Sequence, residues 1–513
     1  MRENKTVLLI HPPLSKPCEP PAGLAKLAFA LDANRIDCRI MDANLEGLLD
    51  LLTDPVSGDD TWSRRAARNV SKNLDALRTE TLYVNTDRYK RAVNDLNRLL
   101  TLAGKKHGAA LSFSNFTDTH LSPVRSADLI QAAEQFENNP FYPGFSKRLL
   151  RLFDERQADI VGISINYLSQ ALTGFAVAGF VKKQLPRARI ILGGGLITSW
   201  MNIPGFKNPF AGLIDGLISG PGEAALLKMC GQGSATGRPA PGFDYDKLPM
   251  QRYLSPGPVL PYGTARGCYW RKCAFCPEKA EKNPYRPSDL AAMGHEIHRL
   301  ESSIHPALIH FLDNALPPKA LKHLIKNPPG APWYGFVRIT PHLADPEFAR
   351  NLKAAGCVML KLGVESGDPD VLDALKKGID LKIVSAALET LKEAGIGIYV
   401  YLLFGTPAES HGSAEKTLDF ALAHAQWIDF LNLAIFNLPA YSPEADGLET
   451  LPFYEGDLSL YREFRHPKGW HRDQVRRFLS QAFKRPRSIR SILNNDPPFF
   501  TSNHAPFLLM HRL

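Results

Sequence analysis

Three cysteines fall within nine residues, in Gly267-Cys268-Tyr-Trp-Arg-Lys-Cys273-Ala-Phe-Cys276-Pro277, and this cluster constrains the chain more than any other feature. Three thiolates on one loop suit a soft metal. A structural zinc wants four protein ligands, and His295 or Cys357 would have to complete the set from a distance. Three cysteine ligands would instead leave one iron of a 4Fe–4S cluster open, and an open iron is where chemistry takes place. The chain holds seven cysteines, an odd number with one tight group, which argues against a disulfide framework and for a reducing compartment.

Around the cluster the chain alternates strands and helices. Val7-Leu-Leu-Ile10 reads as a first strand that turns at His11-Pro12-Pro13; residues 23–34 have helical spacing, and Cys38-Arg-Ile-Met41 is a second strand. Asp159-Ile-Val-Gly-Ile-Ser164 and Ile190-Ile-Leu-Gly193 are two more, with a helix over 172–183 between them and another after Glu223. This pattern predicts a doubly wound parallel sheet for residues 1–230, with ligands beyond the carboxyl ends of its strands. Residues 52–150 interrupt it as a charged, mainly helical insertion, because a loop of that length without structure is uncommon. Residues 231–260, rich in Gly and Pro, read as a linker. From 261 to 437 the alternation returns, with strands expected that include 307–312, 334–338, 358–362, 398–404 and 430–433; six such parallel strands with intervening helices would close into a partial (β/α) barrel. Residues 438–513 are expected to form a helical, basic C-terminal region.

With 513 residues, 44% hydrophobic and 22% charged, the chain is long enough for two or three ordinary domains. No apolar run approaches the ~18 residues that span a bilayer, and the first residues are too short for a signal peptide, so a cytoplasmic location is expected. The net charge of +9 is modest for this length and permits an acidic ligand. No nucleic-acid-binding module is recognisable.

The cysteine segment and the strand ends beyond it resemble the radical S-adenosylmethionine superfamily, in the branch that carries an N-terminal cobalamin-binding domain. The usual cysteine spacing there is three residues, then two; this chain has four and two. The resemblance continues in Phe311-Leu-Asp313-Asn314, Arg338, Gly363-Val-Glu365-Ser366-Gly367 and Phe404-Gly405-Thr-Pro-Ala-Glu409, in order across about residues 260–435. It implies a 4Fe–4S cluster on Cys268, Cys273 and Cys276, and S-adenosylmethionine bound by Phe275, Asp313, Asn314, Arg338, Glu365, Ser366 and Gly405. Phe275 would lie against the adenine, Arg338 would pair with the methionine carboxylate, and Glu365 would take ribose hydroxyls. Paired acids are common where Asn314 stands.

In the N-terminal domain the resemblance rests on Pro12-Pro13, Ser164, Gly193, Gly194, Gly222 and Glu223. It implies bound cobalamin. The Asp-x-His-x-x-Gly loop of many cobalamin proteins is missing; Asp42-Ala-Asn44-Leu-Glu-Gly47 echoes it with Asn in place of His. A flavodoxin-like domain without a cofactor is the alternative. Taken together, the resemblance implies a cobalamin-dependent methyltransferase acting on an unactivated carbon of a small molecule or peptide. A flavodoxin or ferredoxin would supply its electrons. Another radical reaction (cyclisation, rearrangement, methylthiolation) and a non-enzymatic sensor are the rival readings; methylthiolation would require a second cysteine triad that the sequence lacks.

Residues 462–490 carry ten Lys or Arg and two acids, interleaved with aromatics. Val475, Phe478, Leu479 and Phe483 fit one helix face, with the basic residues outward. An anionic substrate is the sharper reading of that charge. Residues 497–506 are expected to fold back over the barrel mouth. Cys18 comes after the first strand on the expected ligand side, and Cys357 reads as a small buried apolar group.

Overall fold

Short apolar runs bounded by glycine and helix are, as parallel strands covered on both faces must be, almost continuously hydrophobic. They assemble two sheets in the computed structural model, which describes residues 5–53, 58–232, 242–498 and 504–510. The chain divides into two compact units, one built on residues up to Pro258 together with Tyr454–Leu460, the other on Val259–Phe453 and Tyr461–Pro497 with the C-terminal residues.

In the first unit, strands β1 (Thr6–His11), β2 (Asp37–Asp42), β3 (Ile160–Ser164), β4 (Arg189–Gly193) and β5 (Gly216–Leu217) form one parallel sheet in the order β2-β1-β3-β4-β5. The order reverses between β1 and β3, so the expected ligand crevice lies beyond His11 and Ser164. The insertion at 52–150 is mainly helical, with a small antiparallel hairpin at Ala109–Leu111 and Phe116–Asp118 that the sequence did not suggest. Its last helices are part of the domain: Arg148 of Tyr142–Glu155 pairs with Glu46 and Asp50 of the helix Ala43–Thr53. Residues 242–258 of the expected linker also pack into this unit. Phe243, Tyr245, Tyr253 and Leu254 are buried there, and the Tyr253 hydroxyl donates to Asp42 at 2.6 Å. The rest of that stretch, 233–241, lies outside the described residues.

In the second unit, β6 (Val259–Tyr262), β7 (Leu308–Leu316), β8 (Trp333–Val337), β9 (Cys357–Glu365), β10 (Gly397–Phe404) and β11 (Phe430–Ile435) form one parallel sheet in the order β11-β10-β9-β8-β7-β6. Helices lie between successive strands, giving the partial barrel expected from the sequence. The C-terminal region is less uniformly helical than expected. It opens with a three-stranded antiparallel sheet of β12 (Leu438–Pro439), β13 (Thr450–Pro452) and β14 (Tyr461–Phe464), because short strands broken by Pro and Gly leave little helical periodicity to read. Helices come next at Arg472–Phe478 and Arg487–Asn494, and Val475, Phe478, Leu479 and Phe483 are buried on one face as expected.

The described residues at the chain end, from His504, lie at the floor of the barrel and not over its mouth, contrary to expectation. Ala505 packs with Val259, Leu308, Val358 and Met359, all at the amino ends of their strands, and the His504 ring lies 4.3 Å from Tyr399 and 4.6 Å from Phe430. The apolar side chains of Ala505, Leu508 and Leu509 find their partners at the floor, where the strands begin. Residues 499–503 of this segment lie outside the described residues. Among the described residues no helix is long and apolar enough to cross a membrane.

The turn after β4 shows how tightly the switch-point loops are fitted. Gly194 has φ +105°, and a Cβ there would stand 2.4 Å from the Ile165 carbonyl oxygen, whereas one on Gly193 would meet nothing closer than 3.9 Å. Gly194→Ala should therefore lose about 1–3 kcal/mol and show an earlier urea unfolding midpoint. Gly193→Ala should unfold close to the parent.

Candidate active site

The cysteine loop leaves the barrel just after β6. Three restraints set its path. Asp313, buried in β7, accepts from the Thr264 N–H at 2.9 Å and from the Thr264 hydroxyl at 2.7 Å. Ala265–Arg266 pairs antiparallel with Arg286–Pro287 and closes the base of the loop. Between them Gly267 turns with φ +70°, where a Cβ would come 2.8 Å from the Pro284 carbonyl oxygen. The far side of the loop is tied to the end of the helix Pro369–Ala374. There the Ala274 N–H donates to the Leu375 carbonyl at 2.9 Å, and the Trp270 indole to that of Lys376 at 3.1 Å.

Cys268, Cys273 and Cys276 are free thiols, each partly exposed. Burial pushes Cys276 up to about 11, with Cys273 and Cys268 adding to the shift, and raises Cys273, with Glu365 and Cys268 adding there. The Lys377 and Arg338 cations oppose the shift at Cys273. Among the described residues no three His, Cys, Asp or Glu side chains stand close enough to hold one metal ion. Three thiolates on one loop suit a cluster in which each takes its own iron. The zinc alternative fails on topology. Cys357 begins β9 whereas Glu365 ends it, roughly 27 Å away along nine residues of strand. His295 is exposed on the helix Leu290–Ile304.

Several of the expected residues meet around this loop. Arg338, just past β8, lies 3.7 Å over the Trp270 ring and donates to the carbonyls of Lys377 and Gly378. Glu365 ends β9 with φ +68°, a left-handed conformation unusual for a residue with a side chain, beside a break in the β9–β10 register. Its carboxylate pairs with Lys377 at 2.7 Å, and the same ammonium lies 5.6 Å from the Phe275 ring. One lysine thus joins Glu365, Phe275 and the field at Cys273. A pocket of about 240 Å³ opens beside Phe275, walled by Leu375, Pro407, Ala408 and Phe436. It is apolar enough to take a flat ring.

Other expected residues play different parts. Both Asp313 oxygens are committed to Thr264, so its geometry is that of an anchor for the loop. Asn314 is exposed on the opposite face of the strand. Ser366 is fully buried and bonds to Thr417 and the Asp368 N–H within its own turn. Gly405 turns with φ +75° and donates its N–H to Glu409 at 2.5 Å. At the first unit's crevice, Ser164 accepts from Asn166 at 3.2 Å, while Tyr167 beside it is 59% exposed. Gly222 caps the helix Glu223–Met229, and Glu223 lies 4.0 Å from Lys26. Asp42 and Asn44 are structural: they accept from the N–H groups of Leu45 and Ser15.

Sequence reasoning missed Lys377 and Trp270 as members of the site. A Lys-Lys-Gly after a helix is an ordinary helix end, and no signal in the chain alone pairs it with Glu365. It also missed that Glu409 is a clamp. Glu409 is fully buried and takes the Gly405 N–H and the Trp470 indole, at 2.8 Å, on one oxygen. Burial is the main cause that pushes its carboxyl up to about 7.

The raised value makes stability depend on pH in a definite direction. The unfolded chain releases this proton near pH 4.5 and the folded one near 7, so stability falls as pH rises between the two, by up to about 3 kcal/mol. Glu409→Gln keeps both acceptor bonds without the charge. Urea midpoints compared at pH 5 and pH 8 should show a smaller loss for the variant than for the parent.

Parts of this chain match known proteins. Residues 262–421 match the model of the Radical SAM superfamily. An uncharacterised methyltransferase of Pyrococcus horikoshii is 23% identical over 313 residues, 53% of this chain and 65% of that protein. A bacteriochlorophyllide d C-12(1)-methyltransferase of Chlorobaculum tepidum is 27% identical over 172 residues, 32% of this chain and 37% of that protein. The chain thus spans less than two thirds of the length of either curated relative. Two structures of the radical S-adenosylmethionine methyltransferase TsrM from Kitasatospora setae share the fold. One, with cobalamin and a [4Fe-4S] cluster bound, gives a TM-score of 0.54 at 17% identity over 89% of this chain and 82% of that one. The other, with tryptophan and a SAM analogue bound, gives 0.57 at 15% identity over 95% and 89%.

Proposed function

We propose that this chain, whose residues 262–421 match the model of the Radical SAM superfamily, is a cobalamin-dependent methyltransferase that methylates an unactivated carbon of a small molecule. The observation that carries the reading is the convergence of Cys273, Phe275, Arg338 and Glu365 on Lys377 and Trp270 beside the apolar pocket. The methyltransferase names of two matched relatives and the fold shared with TsrM support the reaction type.

Cys268, Cys273 and Cys276 would hold the cluster, and their donor set fits it: three soft ligands, with positive charge from Lys377 and Arg338 to favour the thiolate at Cys273. Phe275 and the pocket beside it would receive the adenine. Arg338 presents a planar fork suited to the methionine carboxylate, and Glu365 would exchange its bond to Lys377 for ribose hydroxyls. In the first unit, Ser164 and the open position at Gly193 border the crevice where a corrin would lie, with Gly194 shaping its edge. When bound, the cluster supplies the electron that breaks a carbon–sulfur bond of S-adenosylmethionine, and cobalamin carries the methyl group. The barrel residues position the reactants and exclude water from them. A flavodoxin or ferredoxin is the class of protein suited to reduce the cluster.

Anaerobically reconstituted protein should contain about four irons and one cobalt per chain, and should pass label from methyl-labelled S-adenosylmethionine to its substrate. Cys273→Ala should lose the iron and the cleavage of S-adenosylmethionine together; a variant that keeps both removes the cluster assignment. Full iron with no cobalt after incubation with cobalamin would remove the cobalamin part of the reading and leave the radical chemistry.

A further inference from the structure

A second and larger cavity, of about 340 Å³, lies within the same unit as the cysteine loop. Its walls come from β13, β14 and the residues leading into the helix Arg472–Phe478. We propose that it is the substrate site, and that it takes a flat apolar molecule carrying one carboxylate or phosphate group. The proposal rests on the methyltransferase reading only in naming the occupant the substrate.

The cavity is bordered by Gly405 and Phe436, the residues directly after β10 and β11, so it stands at the carboxyl ends of the barrel strands. Ligands of parallel α/β sheets and barrels bind at that end. Phe436 also lines the pocket beside Phe275, so one aromatic side chain is common to both cavities. A molecule in the larger cavity would lie next to whatever fills the smaller.

The lining sets the chemical class. Phe436, Phe453, Phe464 and Trp470 offer aromatic surface, which favours a flat apolar partner. The Trp470 ring is held in place by its bond to Glu409, and Phe464 lies 6.0 Å from Phe436, so these walls are built before any ligand arrives.

The charges are distributed unevenly with depth. Glu449, Glu463 and Asp473 are all exposed; Glu449 faces Arg465 at 3.5 Å and Asp473 faces Arg476 at 3.2 Å, out in solvent. Arg462 is also exposed, and donates to Thr450 at 2.9 Å. His466 is buried, donates through Nε2 to the Thr406 carbonyl and accepts the Lys468 N–H on Nδ1, which is the bonding of a neutral ring. Arg472 alone brings a formal charge to the half-buried part of the lining. Its guanidinium donates to the Phe436 carbonyl at 3.1 Å and the Asn437 side chain at 2.9 Å, and lies 5.0 Å from the Phe453 ring. A guanidinium fixed against an aromatic face is suited to a planar anion or a phosphate.

Titration calorimetry on the full, cluster-reconstituted chain tests this with three probes of one ring system: 2-naphthoate, 2-naphthyl phosphate and neutral 2-naphthamide. At least one anion should bind about tenfold or more tightly than the amide, and which anion is preferred separates carboxylate from phosphate. Arg472→Gln should abolish the preference, and Arg472→Lys, which keeps the charge without the fork, should retain part of it. Equal binding of all three probes, or an unchanged preference in Arg472→Gln, would overturn the proposal. The readout needs no turnover. Anion binding by a protein that transfers no methyl group would keep this site and remove the methyltransferase reading; methyl transfer without anion binding would remove this site alone.

Discussion

The cysteine loop hangs from a single buried carboxylate. Burying the charge of Asp313 is unfavourable unless its oxygens are used, and both are used on Thr264, one on the backbone and one on the hydroxyl. Thr264 is the second residue after β6, so this clamp fixes where the chain leaves the barrel. Everything further along the loop, from the turn at Gly267 to the tether at Ala274, elaborates a path that begins there.

Around the loop the charges are arranged to be exchanged. Burial disfavours the thiolate at Cys273 and Cys276, and Lys377 and Arg338 counter it at Cys273. Each cation is held by a group that a ligand can replace or share: Lys377 by Glu365, Arg338 by two backbone carbonyls. Glu365 sits in a left-handed conformation at the strand end, the kind of local strain that persists only where the surroundings over-determine it. Here the surroundings are the break in register on one side and the ion pair on the other.

The C-terminal region packs on the barrel in three ways. Phe478 and Phe483 pack against Phe404 at the end of β10. Ala505 and its neighbours fill the floor. Between these segments the tail sheet and Trp470 wall a cavity beside the mouth, and Glu409 ties that wall to the turn after β10. A region that reads in sequence as a basic helical tail is, in three dimensions, the wall of that cavity.

The local features were legible from the chain alone. Hydrophobic runs and their spacing located most of the parallel strands of both sheets, because a strand buried on both faces must be apolar throughout; they missed the two-residue β5 and also β6, whose first residues read as the end of the linker. The cysteine triad stood out by its spacing, whereas Phe275, Arg338 and Glu365 were singled out only by the family resemblance of short motifs around the triad and at strand ends. What the sequence could not decide was pairing across distance. That Glu365 meets Lys377, that Trp270 lies under Arg338, that Asp313 anchors Thr264 instead of facing outward, and that the chain end seeks the floor and not the mouth all depend on which strand ends and loops come together. Those choices are settled by packing and by the need to satisfy buried polar groups. Residue type and local spacing determine what each segment can form and which atoms it can offer; only the folded sheet order determines which of those atoms meet.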